Sequence, residues 1–283
     1  TAVLFGVMMF TTDYSMTPVD LALAAEERGF ESLWFPEHSH IPISRLSRWA
    51  GKGDLPRMYY DVLDPFVGLA AAAAVTQTIK IGTGICLVIQ RDPIQTAKEV
   101  ATLDYISDGR VLFGVGAGWN AEEIADHGTA FKSRFRLMEE RVEAMKTIWT
   151  QDTPEYHGEF VNFDAMETGP RPVQNPYPPI IVGGGFPHGA RRAIAYGDGW
   201  MPGLSAGVDV VSILPQFRQM VAEAGKNPDD MPVTNFGFYE NLDYAAAMAD
   251  AGVARAVFAL PAEKADTVLP LMDKFAAVAR RHA

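Results

Sequence analysis

Glu37 and His38 stand side by side directly after the apolar run Ser32-Leu33-Trp34-Phe35. An imidazole titrates near neutral pH, and beside a carboxylate it can give a proton to a bound molecule or take one from it. Solvated loop polarity is the plainer reading of the same pair. Glycines gather at three further places. Ile81-Gly82-Thr83-Gly84-Ile85 sets two of them inside a strand-like run, where they mark a bulge at a ligand or small residues packed in a tapering barrel. Gly114-Val115-Gly116-Ala117-Gly118-Trp119-Asn120 bares backbone that a planar ring or a phosphate can approach. It is not the dinucleotide fingerprint, because Trp119 holds the place of the third glycine. Trp119 itself either stacks on a ligand or packs in the core. Gly183-Gly184-Gly185 precedes a helix that opens near Pro187, so backbone amides and a positive dipole end face any anion bound there. His188, Arg191 and Arg192 follow on that helix.

Residues 40–60 hold Arg45, Arg48, Lys52 and Arg57 against Asp54 alone. This basic stretch can receive an anionic substrate or cofactor tail, or it is scattered surface charge. No metal site is expected, since His38 and His40 are the only close histidines and no His-Glu-x-x-His or cysteine pair occurs. No Gly-x-Ser-x-Gly supports a serine hydrolase.

The elements that must carry these residues alternate. Strand-like runs cover 4–10, 32–35, 80–89, 111–115, 180–182, 198–200, 233–239 and 253–260. Helical patterns follow at 18–28, 64–76, 92–107, 133–150, from about 187, 210–224, 241–251 and 262–280. Thr17-Pro18, Asp64-Pro65 and Asp92-Pro93 read as helix starts with proline at the first helical position, and Gly29 and Gly109 as stops. Eight such βα units predict a parallel sheet closed into a (β/α)₈ TIM barrel, with a doubly wound open sheet as the alternative. Either fold binds ligands at the C-terminal ends of its strands, where the residues above sit. Residues 151–179 interrupt the rhythm with prolines and a hairpin-like stretch around 156–163. They are expected to be an insertion before strand five, inside a single domain spanning 1–283.

The chain's 283 residues suit a barrel of about 250 plus an insertion. Its net charge of −11 repels phosphate, so no nucleic-acid or anionic membrane partner is expected. No apolar run approaches the roughly 18 residues of a membrane span, and residues 1–10 lack the basic start of a signal peptide. Cys86 is the single cysteine, which fits a reducing cytoplasm.

Together these segments resemble the luciferase-like monooxygenase family, whose members depend on flavin or on coenzyme F420. The likeness covers nearly the whole chain. Ser32–Leu33–Trp34–Phe35–Pro36–Glu37–His38, then Ile81–Gly82–Thr83–Gly84–Ile85, carry part of it. Residues 97–110 (AKEVATLDYISDGR), leading into the Gly114–Trp119 run, carry most. Gly169–Pro170–Arg171–Pro172–Val173–Gln174 and Pro178–Pro179–Ile180–Ile181–Val182–Gly183–Gly184 complete it. The resemblance implies a barrel with its cofactor ring in the mouth, a homodimer, and a small-molecule substrate. Within the family the F420-dependent branch is the nearer, with FMN-dependent monooxygenation and non-catalytic flavin binding as the alternatives. On that branch Glu37 and His38 border the deazaflavin, with His38 the candidate proton donor. Thr83, Gly84 and Ile85 match the place of a non-proline cis peptide that bulges against the ring. Ala117, Gly118 and Trp119 match the backbone flanking it, and Gly183, Gly184 and Gly185 match the phosphate-holding segment. The family's F420-dependent sugar-phosphate dehydrogenases have a catalytic glutamate where this chain has Trp119, which argues against sugar-phosphate oxidation. Glu122 or Glu123 stands near enough to substitute, and Glu122 joins the expected cofactor contacts.

Overall fold

The computed structural model describes residues 3–51, 53–203, 209–238 and 244–282. The predicted helix starts form as the sequence suggests. Thr17 Oγ1 accepts from the Asp20 amide, Asp64 Oδ1 from Val67 and Asp92 Oδ1 from Gln95, at 3.1, 3.0 and 2.8 Å. These caps satisfy amides that the first turn leaves without partners, ahead of α1 (Pro18–Glu27), α2 (Pro65–Val75) and α3 (Pro93–Ile106).

In chain order the strands are β1 (Leu4–Met9), β2 (Ser32–Phe35), β3 (Lys80–Thr83), β4 (Cys86–Leu87), β5 (Val111–Gly116), the hairpin β6 (Tyr156–His157) and β7 (Asn162–Phe163), then β8 (Ile180–Gly183), β9 (Gly199–Met201), β10 (Thr234–Phe238) and β11 (Arg255–Leu260). The remaining helices are α4 (Ala121–Asp126), α5 (Arg134–Thr150), α6 (His188–Tyr196), α7 (Val210–Glu223), α8 (Tyr244–Ala251) and α9 (Ala265–His282). The main sheet runs β10-β11-β1-β2-β3-β5-β8-β9, with β4 beside β5, and its pairings are parallel. A parallel bridge between Trp200 and Val233 brings its two ends together, and the Trp200 amide donates to Pro232 O at 3.0 Å. The sheet is therefore a barrel and not the open alternative. Alternate strand residues divide into two cores. Met8, Trp34, Leu112, Ile181, Met201, Phe236 and Val257 fill the barrel, while Val7, Met9, Leu33, Phe113 and their neighbours pack outward on the helices.

The structure departs from the sequence expectation in three places. The third strand, expected to run 80–89, stops at Thr83 and resumes for two residues at Cys86, with a cis Gly84–Ile85 bond between and a tight turn at 88–90. α4 stands where only a loop was expected, started by Asn120 Oδ1 accepting from the Glu123 amide at 3.0 Å. The closing helix starts at Ala265, three residues later than expected. The expected ends at Tyr239 and Asn241, like Lys52, lie outside the described residues. The insertion forms the hairpin, and Gln174 ties it to the barrel by donating to both oxygens of Asp104 and to Val111 O. Among the described residues no helix is long and apolar enough to cross a membrane.

One anchor between layers makes stability depend on pH. Burial opposes ionisation of Glu26, but the amides of Thr78, Ile79 and Gln77 donate to its carboxylate and hold its pKa at about 2. A depressed carboxyl pKa contributes stability that is present above the unfolded value of 4.5 and lost as pH falls towards 2. Glu26→Gln is expected to lower the unfolding midpoint at pH 7 and to flatten its decline between pH 4.5 and 2, as measured by denaturant unfolding across that range. Equal acid sensitivity in both proteins contradicts this role.

Candidate active site

β2 delivers Glu37 and His38 to the barrel mouth, and the two side chains take separate roles. His38 Nδ1 lies 2.7 Å from Glu123 Oε2 on α4, and the side chains are only 7% and 1% exposed. Glu123 Oε1 accepts from the Ser39 amide at 3.1 Å. A buried carboxylate so placed accepts a hydrogen bond from Nδ1–H and fixes the ring's tautomer and orientation. The imidazole is flanked by Tyr59, at 5.5 Å between centroids, and by Trp119, edge-on at 5.9 Å. Both of these rings line a cleft of about 1280 Å³ whose floor includes Met8, Phe10 and Ala259 from the strand ends. Trp119 is thus a partly exposed wall of the cleft and not a core residue.

Glu37, expected to share acid–base work with His38, is bound at both carboxylate oxygens. Its Oε2 accepts from the Leu87 amide and its Oε1 from Arg91 Nε, both at 2.6 Å. Arg91 also meets Asp64 and Glu99, at 2.7 and 3.1 Å. Burial works against the Arg91 charge, but these carboxylates, Glu37 foremost, hold the guanidinium more firmly protonated than usual. Glu37 therefore pins the segment that follows the 84–85 bulge.

The glycines make room for that bulge. A Cβ on Gly116 would lie 1.7 Å from Ile85 Cδ1, and one on Gly183 would lie 3.2 Å from Ile85 Cγ2. A Cβ on Gly114 would meet Thr83 O at 2.1 Å, beside the bond that Thr83 Oγ1 donates to Gly114 O. Gly183 thus serves Ile85 as much as any ligand. Gly118 has φ +67°, a conformation that suits glycine, and Ala117 before it is buried. Gly184, at φ +140°, accepts from Trp200 Nε1 at 2.9 Å and packs so closely on α6 that a Cβ on Gly189 would lie 2.1 Å from its oxygen. Gly185 has open space at its Cα.

Glu122, expected among the cofactor contacts, is bound by the basic loop. Its carboxylate accepts from the Ser47 amide at 3.0 Å, from the Ser47 hydroxyl, and from Ser44 Oγ at 3.2 Å. The Ser47 hydroxyl bond leads the donors that hold its pKa at about 2. Glu122 thus latches the basic loop at Ser44 and Ser47, beside Arg48, and Arg48 and Arg57 both line the cleft, Arg57 paired with Asp61. The sequence points to Glu123 only through its nearness to Trp119, and it gives no sign of Tyr59 or Phe10. A sharper signal for Glu123 is present: Asn120 followed three residues later by a glutamate is a helix start. Among the described residues no group of His, Cys, Asp and Glu could hold a metal.

A sequence model of the luciferase-like monooxygenases matches residues 17–263. The chain belongs to the luciferase-like monooxygenase family. A luciferase-like chain this long has full-length relatives: an uncharacterised protein of Mycobacterium tuberculosis (strain ATCC 25618 / H37Rv) is 37% identical over 278 residues, covering 96% of this chain and 97% of that one. An F420-dependent glucose-6-phosphate dehydrogenase of Nocardia farcinica (strain IFM 10152) is 30% identical over 228 residues, 75% of this chain and 61% of that protein. The solved coenzyme F420-dependent tetrahydromethanopterin reductase of Methanopyrus kandleri superposes with a TM-score of 0.75 at 19% identity, covering 100% of this chain and 99% of that one. At that identity the likeness is one of fold, and it confirms the luciferase-like barrel.

Proposed function

We propose that this family member is an F420-dependent oxidoreductase that transfers a hydride between the deazaflavin and a small organic substrate. The observation that carries the reading is the buried His38–Glu123 pair set behind Tyr59 and Trp119 in the wall of a strand-end cleft. A pocket for one drug-sized ligand takes roughly 300–1,000 Å³, so a cleft of about 1280 Å³ has room for a ring system and a substrate together. Trp119 lines this cleft; on this reading Thr83, Gly84, Ile85, Ala117 and Gly118 would border the ring with it, and Gly183, Gly184 and Gly185 the phosphate. When bound, the deazaflavin supplies or accepts the hydride.

The chain's own residues do the rest. Glu123 accepts the Nδ1–H hydrogen bond of His38 and leaves Nε2 to exchange a proton with the reacting molecule. Tyr59, Trp119 and Phe10 exclude water from one side of the cleft and offer flat apolar walls to the substrate. Glu37 and Arg91 keep the bulge in place, and Glu122 holds the basic loop along the rim. Trp119 in place of a glutamate directs the chemistry away from sugar phosphates. The same reading takes the protein as a homodimer, as the family resemblance implies.

Stopped-flow absorbance under anaerobic conditions tests the reaction class. Reduced F420 is expected to reoxidise without oxygen when a panel of small carbonyl and alkene substrates is supplied. Oxygen uptake with reduced FMN, and none of that anaerobic turnover, replaces the reading with flavin monooxygenation.

A further inference from the structure

Four aromatic rings meet along one side of the cleft, with Tyr59 as their hub. Its centroid lies 4.6 Å from that of Phe10, 5.8 Å from Trp49 and 6.5 Å from Trp119. Trp49 Nε1 donates to the Tyr59 hydroxyl at 3.1 Å, which fixes the indole. All four rings line the cleft, and two of them, Tyr59 and Trp119, flank His38. Such a wall rewards a flat apolar body through burial and through ring packing. A body rich in hydroxyls would lose its water there and find few partners.

The cations of the basic loop are used differently. Arg45 donates to the carbonyls of Pro42 and Ser44 and does not line the cleft. Arg57 lines it, but it is paired with Asp61 at 2.5 Å and lies over the Tyr14 ring, 5.0 Å from the centroid. Arg48 also lines it, and among the described residues its guanidinium makes no hydrogen bond or ion pair. Yet the chain is tied on both sides of it. The Ser47 amide donates to Glu122 at 3.0 Å, and Trp49 is bound to Tyr59. Residue 48 is thus held at the cleft while its head group is left unengaged, in a chain with 35 acidic and 24 basic side chains. The other charges of the lining are Lys274 and Glu263, one of each sign. With Arg57 matched by Asp61, the lining carries one positive charge in excess, that of Arg48. One excess charge suits a single carboxylate, which a guanidinium grips through two parallel hydrogen bonds, better than a dianionic phosphate.

We infer that the substrate is a flat, apolar monocarboxylic acid, its body against the Tyr59 ring cluster beside His38 and its carboxylate on Arg48. The inference rests on the proposed reading of the cleft as the reaction chamber, and it gives Arg48 the choice of substrate.

Titration calorimetry at low ionic strength tests it, with cinnamate as the flat acid, cinnamamide as its uncharged counterpart and hexanoate as a flexible acid. Each is titrated into the protein alone and in the presence of F420. Cinnamate is expected to bind the wild type about fivefold or more tightly than either of the others. Arg48→Gln is expected to remove that advantage over cinnamamide, a loss of about fivefold for one exposed ion pair, while cinnamamide binds as before. Arg45→Gln, exposed on the same loop and away from the cleft, should bind all three as the wild type does. No cinnamate binding under either condition, equal binding of cinnamate and cinnamamide by the wild type, hexanoate binding as tight as cinnamate, or an unchanged preference in Arg48→Gln overturns the inference. So does F420 binding that displaces cinnamate and weakens in Arg48→Gln, since the arginine then serves the cofactor. Cinnamate binding that needs Arg48, in a protein that does not bind F420, keeps the acid site and removes the deazaflavin. F420 binding without cinnamate binding does the reverse.

Discussion

His38→Ala is expected to reduce kcat by roughly 10²–10⁴-fold, the usual contribution of a positioned acid–base group. Cofactor affinity should change little, because the ring would rest on the bulge and the Ala117–Trp119 backbone and not on the imidazole. Glu123→Gln tests the same pair from its other side. The amide can still accept from Nδ1–H and keep the ring in place, but it removes the carboxylate's charge, so turnover should fall by less than in His38→Ala. The carboxylate lies 2.7 Å from the ring nitrogen. Steady-state kinetics with both variants measures this. Unchanged turnover in His38→Ala removes the residue from the chemistry.

Gly114→Ala carries the second large effect, on stability and site geometry together. The added methyl would sit 2.1 Å from Thr83 O, a backbone oxygen that cannot rotate away. β3 and β5 would have to part, breaking the Thr83 Oγ1–Gly114 O bond of 2.7 Å and shifting Ile85. Overpacking of this kind costs about 1–3 kcal/mol, and more where backbone must move. Gly169→Ala is the control, since a methyl there meets nothing within 4 Å. It should change stability by no more than about 0.5 kcal/mol. Chemical denaturation of the three proteins measures both. Equal midpoints for Gly114→Ala and the wild type contradict the claim that this glycine exists for close packing.

The barrel is legible in the sequence because its signals are periodic and local. Thr17, Asp64 and Asp92 sit before prolines and cap as expected, and each apolar run except the third forms a strand near its expected bounds. The break in the third strand is not legible as a break. The run from Ile81 to Ile89 is mostly apolar, and long-range packing of Ile85 into the space over Gly116 and Gly183 accompanies the interruption. In sequence the glycines suggest ligand approaches, yet the space beside Gly114, Gly116 and Gly183 is occupied by this chain's own atoms. Distance along the chain hides such contacts. The same limit hides what Glu37 does. Its adjacency to His38 suggests a pair, but successive residues leaving a strand point opposite ways. Glu37 turns to Arg91, and His38 meets Glu123 from 85 residues away. Residue type alone leaves Trp119 open between core and ligand wall, and the cleft decides for the wall.

Binding of the cofactor tests the central claim most directly. Purified protein titrated with F420 and, separately, with FMN, each followed by fluorescence, should show saturable one-to-one binding of F420 and markedly weaker binding of FMN. Tight FMN binding with no response to F420 would contradict the deazaflavin assignment.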